Sequence, residues 1–340
     1  MSSFLNDTIF AQTTTPFPLN NSQLDNGTTS AIATKERPTW YWIIRGLFAF
    51  VTILGNGLVI YIISSRRRLR SQPSPNWFIL SLAVADFFVG AFNAPAFFIY
   101  SFYVKNEQDV FAGLQFFMNI FLIASSTNLC ALTLDRYIAV IHPFKHSNFA
   151  KASSCAITIA VAWILPILQR IPYLVLKIVN PPSQQQQLGY YQIFYIFGFI
   201  LLPNVFVLVA YIRIIFVAKE HRKQIRALTG HCESSTGVSM DSTSTNSGSS
   251  RSEQKRRLHN SYNGTIAVGV VVFIFLVCNG FLCYWLICFY LIPKCKETES
   301  SKLFISMVLL RYVNSAPNFF VYSLIKSDFQ RELRRMLKRQ

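Results

Sequence analysis

Acidic residues are scarce in this chain of 340 residues, and charged residues of either sign make up only 14% of it. Hydrophobic residues supply 52% of the sequence, which is more apolar surface than a single soluble domain of this size can bury. The composition therefore excludes one water-soluble domain. The excess apolar surface is expected to face lipid.

Three further signals are missing. The seven cysteines are scattered without metal-ligand spacing, so no zinc site is predicted. The first thirty residues are polar, so we expect no cleavable signal peptide and a first membrane helix that acts as its own signal. No nucleophile, base and orienting acid recur at a usable spacing, so the sequence does not predict an enzyme.

Positive charge is abundant and unevenly placed. The 32 Lys and Arg residues outnumber the 15 Asp and Glu residues, and they lie in short clusters between apolar runs. That pattern is typical of the cytoplasmic loops of membrane proteins. A nucleic-acid-binding protein would instead carry such charge on a folded soluble face beside stacking aromatics. We therefore predict the lipid bilayer as a partner and no nucleic acid.

Seven apolar stretches reach the roughly 20 residues that a helix needs to cross about 30 Å of hydrocarbon. Runs of this length without alternation favour helices over barrel strands. The predicted fold is an all-α membrane protein, a seven-transmembrane helix bundle with a short amphipathic eighth helix. The spans are placed at residues 41–63, 76–100, 110–136, 153–176, 191–217, 265–291 and 303–325.

The more basic loops follow the first, third and fifth spans, which places them and the C-terminus in the cytoplasm and the N-terminus outside the cell. N-glycosylation is predicted at the N-x-S/T sequons of Asn6, Asn20 and Asn26. We expect a multi-pass glycoprotein of the plasma membrane. Its predicted regions are a disordered extracellular N-terminus at 1–40, the bundle at 41–325 with a partly disordered third cytoplasmic loop at 219–262, and an amphipathic helix with the C-terminus at 326–340.

Asp86 lies inside the apolar run LSLAVADFFVG, where an ionised side chain costs several kcal/mol unless it faces a polar interior. Small polar residues of the third and seventh spans could meet it there: Ser125, Asn314, Ser315 and Asn318. On the residues alone, two interpretations stay open. The group is either a site for a small hydrated cation or a hydrogen-bond network that joins helices.

Short motifs occur in a fixed order along the spans. They are GN at Gly55 and Asn56, LAVAD ending in Asp86, D-R-Y at Asp135, Arg136 and Tyr137, then Trp163, Pro203 and Tyr211, the segment NSAPNFFVY with Asn314, Ser315, Asn318 and Tyr322, and DF at Asp328 and Phe329. Each motif alone is weak, but their joint order and spacing is specific. Residues 41–339 resemble the rhodopsin-like (class A) family of G-protein-coupled receptors.

The resemblance implies a receptor that binds an extracellular ligand and activates heterotrimeric G proteins by outward movement of the cytoplasmic end of the sixth helix. Asp135 is expected to hold Arg136 at rest and to release it on activation, which suits a permanently charged, planar guanidinium. The plain alternative for Arg136 is an interfacial arginine that reaches lipid phosphates.

The resemblance assigns roles to further residues. Tyr211 and Tyr322 are expected to hydrogen-bond across the opened cytoplasmic end, next to Tyr137. Phe275, Pro203 and Asn279 occupy the positions that transmit the change along the bundle. Asn56 joins the polar network of Asp86, which the family uses for an allosteric sodium ion; no other cofactor is expected. Receptor kinases and arrestin are possible partners of the serines and threonines within 234–250.

The chain departs from the family pattern in two places. The usual disulfide between the third helix and the second extracellular loop is missing, because Phe111 occupies the helix position and 177–192 contain no cysteine. Cys288 and Cys295 could instead close a small loop, which the sequence leaves open. The C-W-x-P of the sixth helix is replaced by Cys278, Asn279, Gly280 and Phe281. A non-signalling or decoy receptor therefore stays an alternative.

Two residues of the predicted pocket argue against ligand classes that are common in this family. Met118 stands where amine receptors of this family carry an aspartate, so a monoamine held by an aspartate is not expected. Tyr312 stands where opsins carry the retinal-bearing lysine, so retinal is not expected either. We predict a small or lipid-like ligand and a pocket that includes Met118, Arg311, Tyr312, Phe281 and Tyr284.

Arg311 is predicted inside the seventh span, where an unpaired charge is expensive. It either binds a carboxylate or phosphate of the ligand through paired hydrogen bonds or serves as a structural residue. A transporter is the remaining rival class, but the chain shows none of the internal repeats that transporters carry.

Overall fold

The computed structural model describes residues 39–71, 73–103, 108–234, 266, 268–284, 287, 309–310, 312, 314–316, 318–319, 321 and 327–337, apart from some side chains within these ranges. Several sequence predictions lie outside the described residues. These are the glycosylation sites Asn6, Asn20 and Asn26, most of the third cytoplasmic loop, the cysteine pair Cys288 and Cys295, and the side chains of Arg311 and Tyr322.

The described part of the chain is helical, which confirms the predicted all-α membrane fold. Five helices are long and apolar enough to cross a membrane, and a shorter apolar helix follows them. The first to fifth helices are the spans Thr39–Ser65, Ser74–Tyr103, Ala112–Ile141, Ala152–Val179 and Gln186–Glu220, and the sixth is Val268–Tyr284. The described residues between 309 and 321 belong to the seventh.

The second and fifth helices each contain a widened turn, at Val89–Asn93 and Ile196–Leu201. Each π turn lies immediately before a proline, Pro95 and Pro203 respectively. A proline lacks the backbone N–H, and its ring clashes with the carbonyl four residues earlier, so one extra residue in the preceding turn relieves the clash. These turns change the direction in which the outer halves of both helices present their side chains.

The third helix lies at the centre of the bundle and packs against the second, fourth and fifth helices. The core around it contains fully buried side chains from several helices, including Phe78, Leu132, Ile214 and Phe275. The opposite faces of the helices expose many large apolar side chains, as expected for surfaces in contact with lipid. Polar residues buried in this core therefore stand out as candidates for function.

The predicted amphipathic eighth helix is present at Ser327–Leu337. Phe329 anchors it in the main core with 2% of its surface exposed. Glu332 forms an ion pair with Arg66 at 3.5 Å, just beyond the end of the first helix, and accepts a hydrogen bond of 2.8 Å from Arg335. Glu332 of this helix is thus held beside the short turn that follows the first helix.

Candidate functional site

The first functional cluster lies at the end of the third helix and centres on Asp135. Its carboxylate is fully buried, and Arg136 folds back onto it, donating from Nε at 2.9 Å and also from Nη2. Ser74, at the start of the second helix, donates to the other carboxylate oxygen. The guanidinium of Arg136 is thereby held on Asp135, which is the resting arrangement that the D-R-Y resemblance predicts.

His146 completes this cluster, and the sequence analysis did not identify it. It lies on the short helix Pro143–Phe149 that follows the third helix. Its Nε2 is 3.2 Å from Asp135 Oδ1 and 3.3 Å from Ser74 Oγ. Asp135 is therefore contacted from the second helix, the third helix and the following loop helix.

Tyr211 lies beside this cluster with 5% of its surface exposed, and its ring packs against Gly269 of the sixth helix. A Cβ atom at Gly269 would come within 2.9 Å of the Tyr211 ring carbon Cε1. Tyr137 is half-buried, and its ring centre is 6.2 Å from that of His142. The fifth and sixth helices are thus in tight contact at this cytoplasmic end.

The second cluster is the polar network predicted around Asp86, whose carboxylate is fully buried. Ser125 donates to Oδ1 at 2.6 Å, and Asn318 donates to Oδ2. Asn56 donates to the backbone oxygens of Thr52 and Ser315, each at 3.0 Å. The structure therefore brings together side chains of the first, second, third and seventh helices, as the sequence suggested.

The donor set around Asp86 suits a small monovalent cation. It offers one carboxylate, the Ser125 hydroxyl and the side-chain oxygen of Asn318, which is buried and has no hydrogen-bond partner in the described structure. Hard cations prefer oxygen ligands of this kind. Among the described residues no cluster of three or more His, Cys, Asp or Glu side chains forms a transition-metal site. A sodium ion at Asp86 remains a prediction.

A cavity lies between the third, fifth, sixth and seventh helices. Its wall exposes neutral polar groups and apolar side chains in about equal amounts. It is lined by Leu122, Ile123, Ser126, Tyr195, Phe199, Ile200, Cys278, Asn279, Leu282 and Asn314. The predicted transmission residue Asn279 therefore faces this space and also donates to the backbone oxygen of Phe275 at 3.0 Å.

Of the residues predicted for the ligand pocket, the described ones, Met118, Tyr312, Phe281 and Tyr284, are not among those that line this cavity. Phe281 and Tyr284 lie on the outer face of the sixth helix, 52% and 61% exposed. Met118 lies on the third helix one turn before Leu122, and its backbone oxygen accepts a hydrogen bond of 3.0 Å from Asn93. The sequence did not indicate which face of the sixth helix points toward this cavity.

Arg45 is a buried arginine that the sequence analysis missed. It lies in the first helix with 2% exposure, donates to Tyr41 Oη and to the Asn93 backbone oxygen at 2.9 Å, and also donates to the hydroxyl of Tyr312. Its guanidinium lies 4.4 Å from the ring centre of Phe97. Tyr312, predicted to face a ligand, is instead a partner of this arginine. A charge inside an apolar run was the available signal, as it was for Arg311.

Comparison with known proteins agrees with this geometry. The sequence model of the 7 transmembrane receptor (rhodopsin family) matches residues 55–322. The human 5-hydroxytryptamine receptor 2C is 26% identical over 333 residues, covering 86% of this chain and 70% of that receptor. The D(2)-like dopamine receptor of Takifugu rubripes is 30% identical over 227 residues, covering 62% of this chain and 48% of that receptor.

A tachykinin-like peptides receptor 86C of Drosophila melanogaster is 31% identical over 144 residues, covering 41% of this chain and 27% of that receptor. The family match spans most of the chain and includes both the Asp86 network and the Asp135 cluster. Its members are receptors and not enzymes, and they cross the membrane several times. This chain belongs to the rhodopsin family of seven-transmembrane receptors.

Proposed function

We propose that this protein is a plasma-membrane receptor that binds an extracellular ligand in the cavity between the third, fifth, sixth and seventh helices and activates heterotrimeric G proteins. The observation that carries the proposal is the Arg136 guanidinium held on buried Asp135. Such a pair stores a charged, planar donor group at the cytoplasmic end until the helices around it move apart.

The contacts suggest how a ligand would act on this end. Asn279 lines the cavity and bonds to the backbone of Phe275, which is one turn closer to the cytoplasm and only 1% exposed. Because Phe275 is packed in the main core, a shift of Asn279 has to be accommodated by movement of the sixth helix. That movement would separate Gly269 from Tyr211 and free space beside Arg136.

The cavity favours a small or lipid-like ligand over an amine anchored by a carboxylate. Within the described membrane spans the acidic residues are Asp86, Asp135 and Glu220, and none of them lines the cavity. Met118 supplies no charge at the position of the amine-binding aspartate. The relatives are named for 5-hydroxytryptamine, dopamine and tachykinin-like peptides, so their names do not agree on one ligand.

One observation favours a second candidate function, a receptor that binds ligand without signalling. Asn279 and Phe281 replace the tryptophan and proline of the sixth helix, and the helix is continuous from Val268 to Tyr284. Without a proline, the usual cause of a sharp bend is missing at this level. A stiffer sixth helix would move less at its cytoplasmic end.

Ligand-free signalling distinguishes the two candidates. Wild-type receptor, Arg136→Ala and the control Arg213→Ala would be compared at matched surface expression with biosensors for each class of Gα. Arg213 is an exposed arginine of the fifth helix and controls for the loss of a positive charge. Signal that disappears in Arg136→Ala alone would support G-protein coupling and identify the Gα class. Equal signals above background in all three would contradict coupling through Arg136, and signals at background in all three would favour the non-signalling receptor.

A further inference from the structure

The fourth helix carries a second buried arginine, Arg170, which is only 3% exposed. Its Nη1 donates to Tyr191 Oη at 2.9 Å, and its guanidinium lies over the ring of Tyr173, 4.2 Å from the ring centre. The Nε atom is buried and has no hydrogen-bond partner in the described structure. An arginine has five N–H donors, so one hydrogen bond leaves this side chain poorly satisfied.

Arg170 also lacks a counterion. No carboxylate of the described residues lies within ion-pair distance of it, and its span Ala152–Val179 contains no acidic residue. Arg45 also has a buried Nε atom without a partner and no carboxylate among the described residues, but three oxygen atoms from three helices accept its other hydrogen bonds. Among the described residues Arg170 has one such partner, so its remaining donors can bind a negatively charged group.

The neighbours of Arg170 add donors rather than acceptors. Gln169 Nε2 also approaches Tyr191 Oη, at 2.7 Å, while Gln169 Oε1 is buried without a partner. Turning the Gln169 amide over would let its oxygen accept the Tyr191 hydroxyl proton, and would leave Nε2 as a further unused donor. Tyr173 Oη is already occupied, donating to Gln115 Oε1 at 2.7 Å. The surplus around Arg170 is therefore N–H groups and positive charge.

This cluster adjoins the cavity. Tyr191 lies one turn before Tyr195, which lines the cavity, and both belong to the same apolar cluster as Tyr173 and Leu282. Gln115 lies two turns before Leu122 on the third helix, toward the same end of the bundle. A ligand with its apolar body in the cavity could thus extend one polar end to Arg170 without crossing the bundle.

We propose that the cavity and the Arg170 cluster form one binding site for an amphiphilic carboxylate. Its aromatic or aliphatic body packs in the cavity, and its carboxylate binds the Arg170 guanidinium beside Tyr191. Charge-assisted hydrogen bonds to a carboxylate are stronger than neutral ones, and the desolvated arginine gains the counterion it lacks. The inference rests on the proposed receptor function, because it specifies the ligand class of the same cavity.

The test uses purified full-length receptor in lipid nanodiscs and measures thermal unfolding. Three probes share one aromatic body and differ in charge: 3-phenylpropionate, its methyl ester and 3-phenylpropylamine. Octanoate and octanol give an aliphatic pair. We expect saturable increases of several degrees in Tm with at least one of the two carboxylates, and no increase with the ester, the alcohol or the amine.

Variants assign the effect to Arg170. Arg170→Gln should lose the increase or weaken the apparent affinity at least ~10-fold, while Arg170→Lys should keep part of it. Arg45→Gln is the matched control: it removes a buried arginine whose partners lie away from the cavity, so the shift relative to its own baseline should remain. Arg136→Ala should also keep the carboxylate-induced increase in Tm. Ligand binding and signalling are then tested separately, so that either proposal can fail without the other.

Four results would overturn the inference. They are an increase with 3-phenylpropylamine, an equal increase with the neutral probes, no increase with either carboxylate, and a carboxylate-induced increase that survives in Arg170→Gln. A titration of choline chloride against choline sulfate at constant ionic strength tests chloride as an inorganic source of negative charge while the cation stays the same. If chloride alone produced the Arg170-dependent increase, the site would hold a resident ion, and the assignment to a ligand carboxylate would be wrong.

Discussion

Gly269 of the sixth helix lies very close to Tyr211 of the fifth helix, beside the Asp135 cluster. A methyl group there would lie 2.9 Å from Tyr211 Cε1 and 3.5 Å from Tyr211 Oη. Overpacking of this kind typically costs ~1–3 kcal/mol, and outward movement of the sixth helix would relieve it. We predict that Gly269→Ala raises ligand-free signalling by about five-fold, which corresponds to a population shift of ~1 kcal/mol.

The measurement for Gly269→Ala is the biosensor response per receptor at the cell surface. Gly280→Ala is its control in the same helix, because a Cβ atom at Gly280 meets nothing within 4 Å. The control should leave signalling unchanged. A Gly269→Ala receptor that signals at or below the wild-type level would show that this contact does not hold the sixth helix in its resting position.

His146 gives a second prediction at the residue scale. Its imidazole contacts Asp135 and Ser74, and its side chain is 24% exposed, so the contact is worth ~0.2–1 kcal/mol. His146→Ala should therefore raise ligand-free signalling by up to about five-fold while the Arg136–Asp135 pair remains. The exposed His142 serves as the control for removal of a histidine from this loop. Equal signalling by His146→Ala and His142→Ala would show that His146 does not help Asp135 to hold Arg136 in the resting arrangement.

Contacts that depend on motif spacing were predictable from the sequence, and contacts that depend on helix rotation were not. Asp86 was expected to meet Ser125 and Asn318 because a buried carboxylate needs polar partners, and the structure places them together. Phe281 and Tyr284 were placed in the pocket, yet they lie mostly exposed, because nearly every position of the sixth helix is apolar and its pattern does not mark the inner face.

At the scale of helices, apolar length identified the spans but not their ends or internal turns. The third helix was predicted to end at 136 and continues to Ile141, because a membrane span need not stop where the hydrocarbon does. The π turns before Pro95 and Pro203 leave no trace in hydropathy, since hydropathy does not record which carbonyl each N–H reaches. Proline was the available signal for both turns.

The amphipathic helix Ser327–Leu337 supports a prediction at this scale. Glu332 is 5% exposed and joins Arg66 to Arg335, so Glu332→Gln would leave Arg66 without its carboxylate partner. We expect a loss of ~1–3 kcal/mol in the docking of this helix. Hydrogen exchange of the backbone amides in 327–337 should then become faster, whereas the exposed-site control Arg334→Gln should leave the exchange unchanged. Unchanged protection in Glu332→Gln would assign the docking to the apolar contacts of Phe329 and Leu333.

At the scale of the whole molecule, the polar network of Asp86 lies between the cavity and the Asp135 cluster at the cytoplasmic end. It joins the first, second, third and seventh helices through side chains that are almost entirely buried. Asn318 keeps one side-chain oxygen without a partner there, and Asn314 of the same helix lines the cavity. A cation held at this point would tie these helices together in the resting arrangement and so oppose the opening of the bundle.

We therefore predict that sodium stabilises the intact receptor through Asp86. Replacing choline chloride by sodium chloride at constant ionic strength should raise the Tm of purified protein, with a stabilisation of ~1 kcal/mol at several times the dissociation constant. Asp86→Asn should abolish the sodium dependence because it removes the carboxylate. Asp135→Asn, which changes another buried carboxylate, should keep it. An identical Tm in sodium and in choline would mean that the Asp86 network only joins helices. The Arg136–Asp135 pair would then hold the resting arrangement without a sodium ion at Asp86.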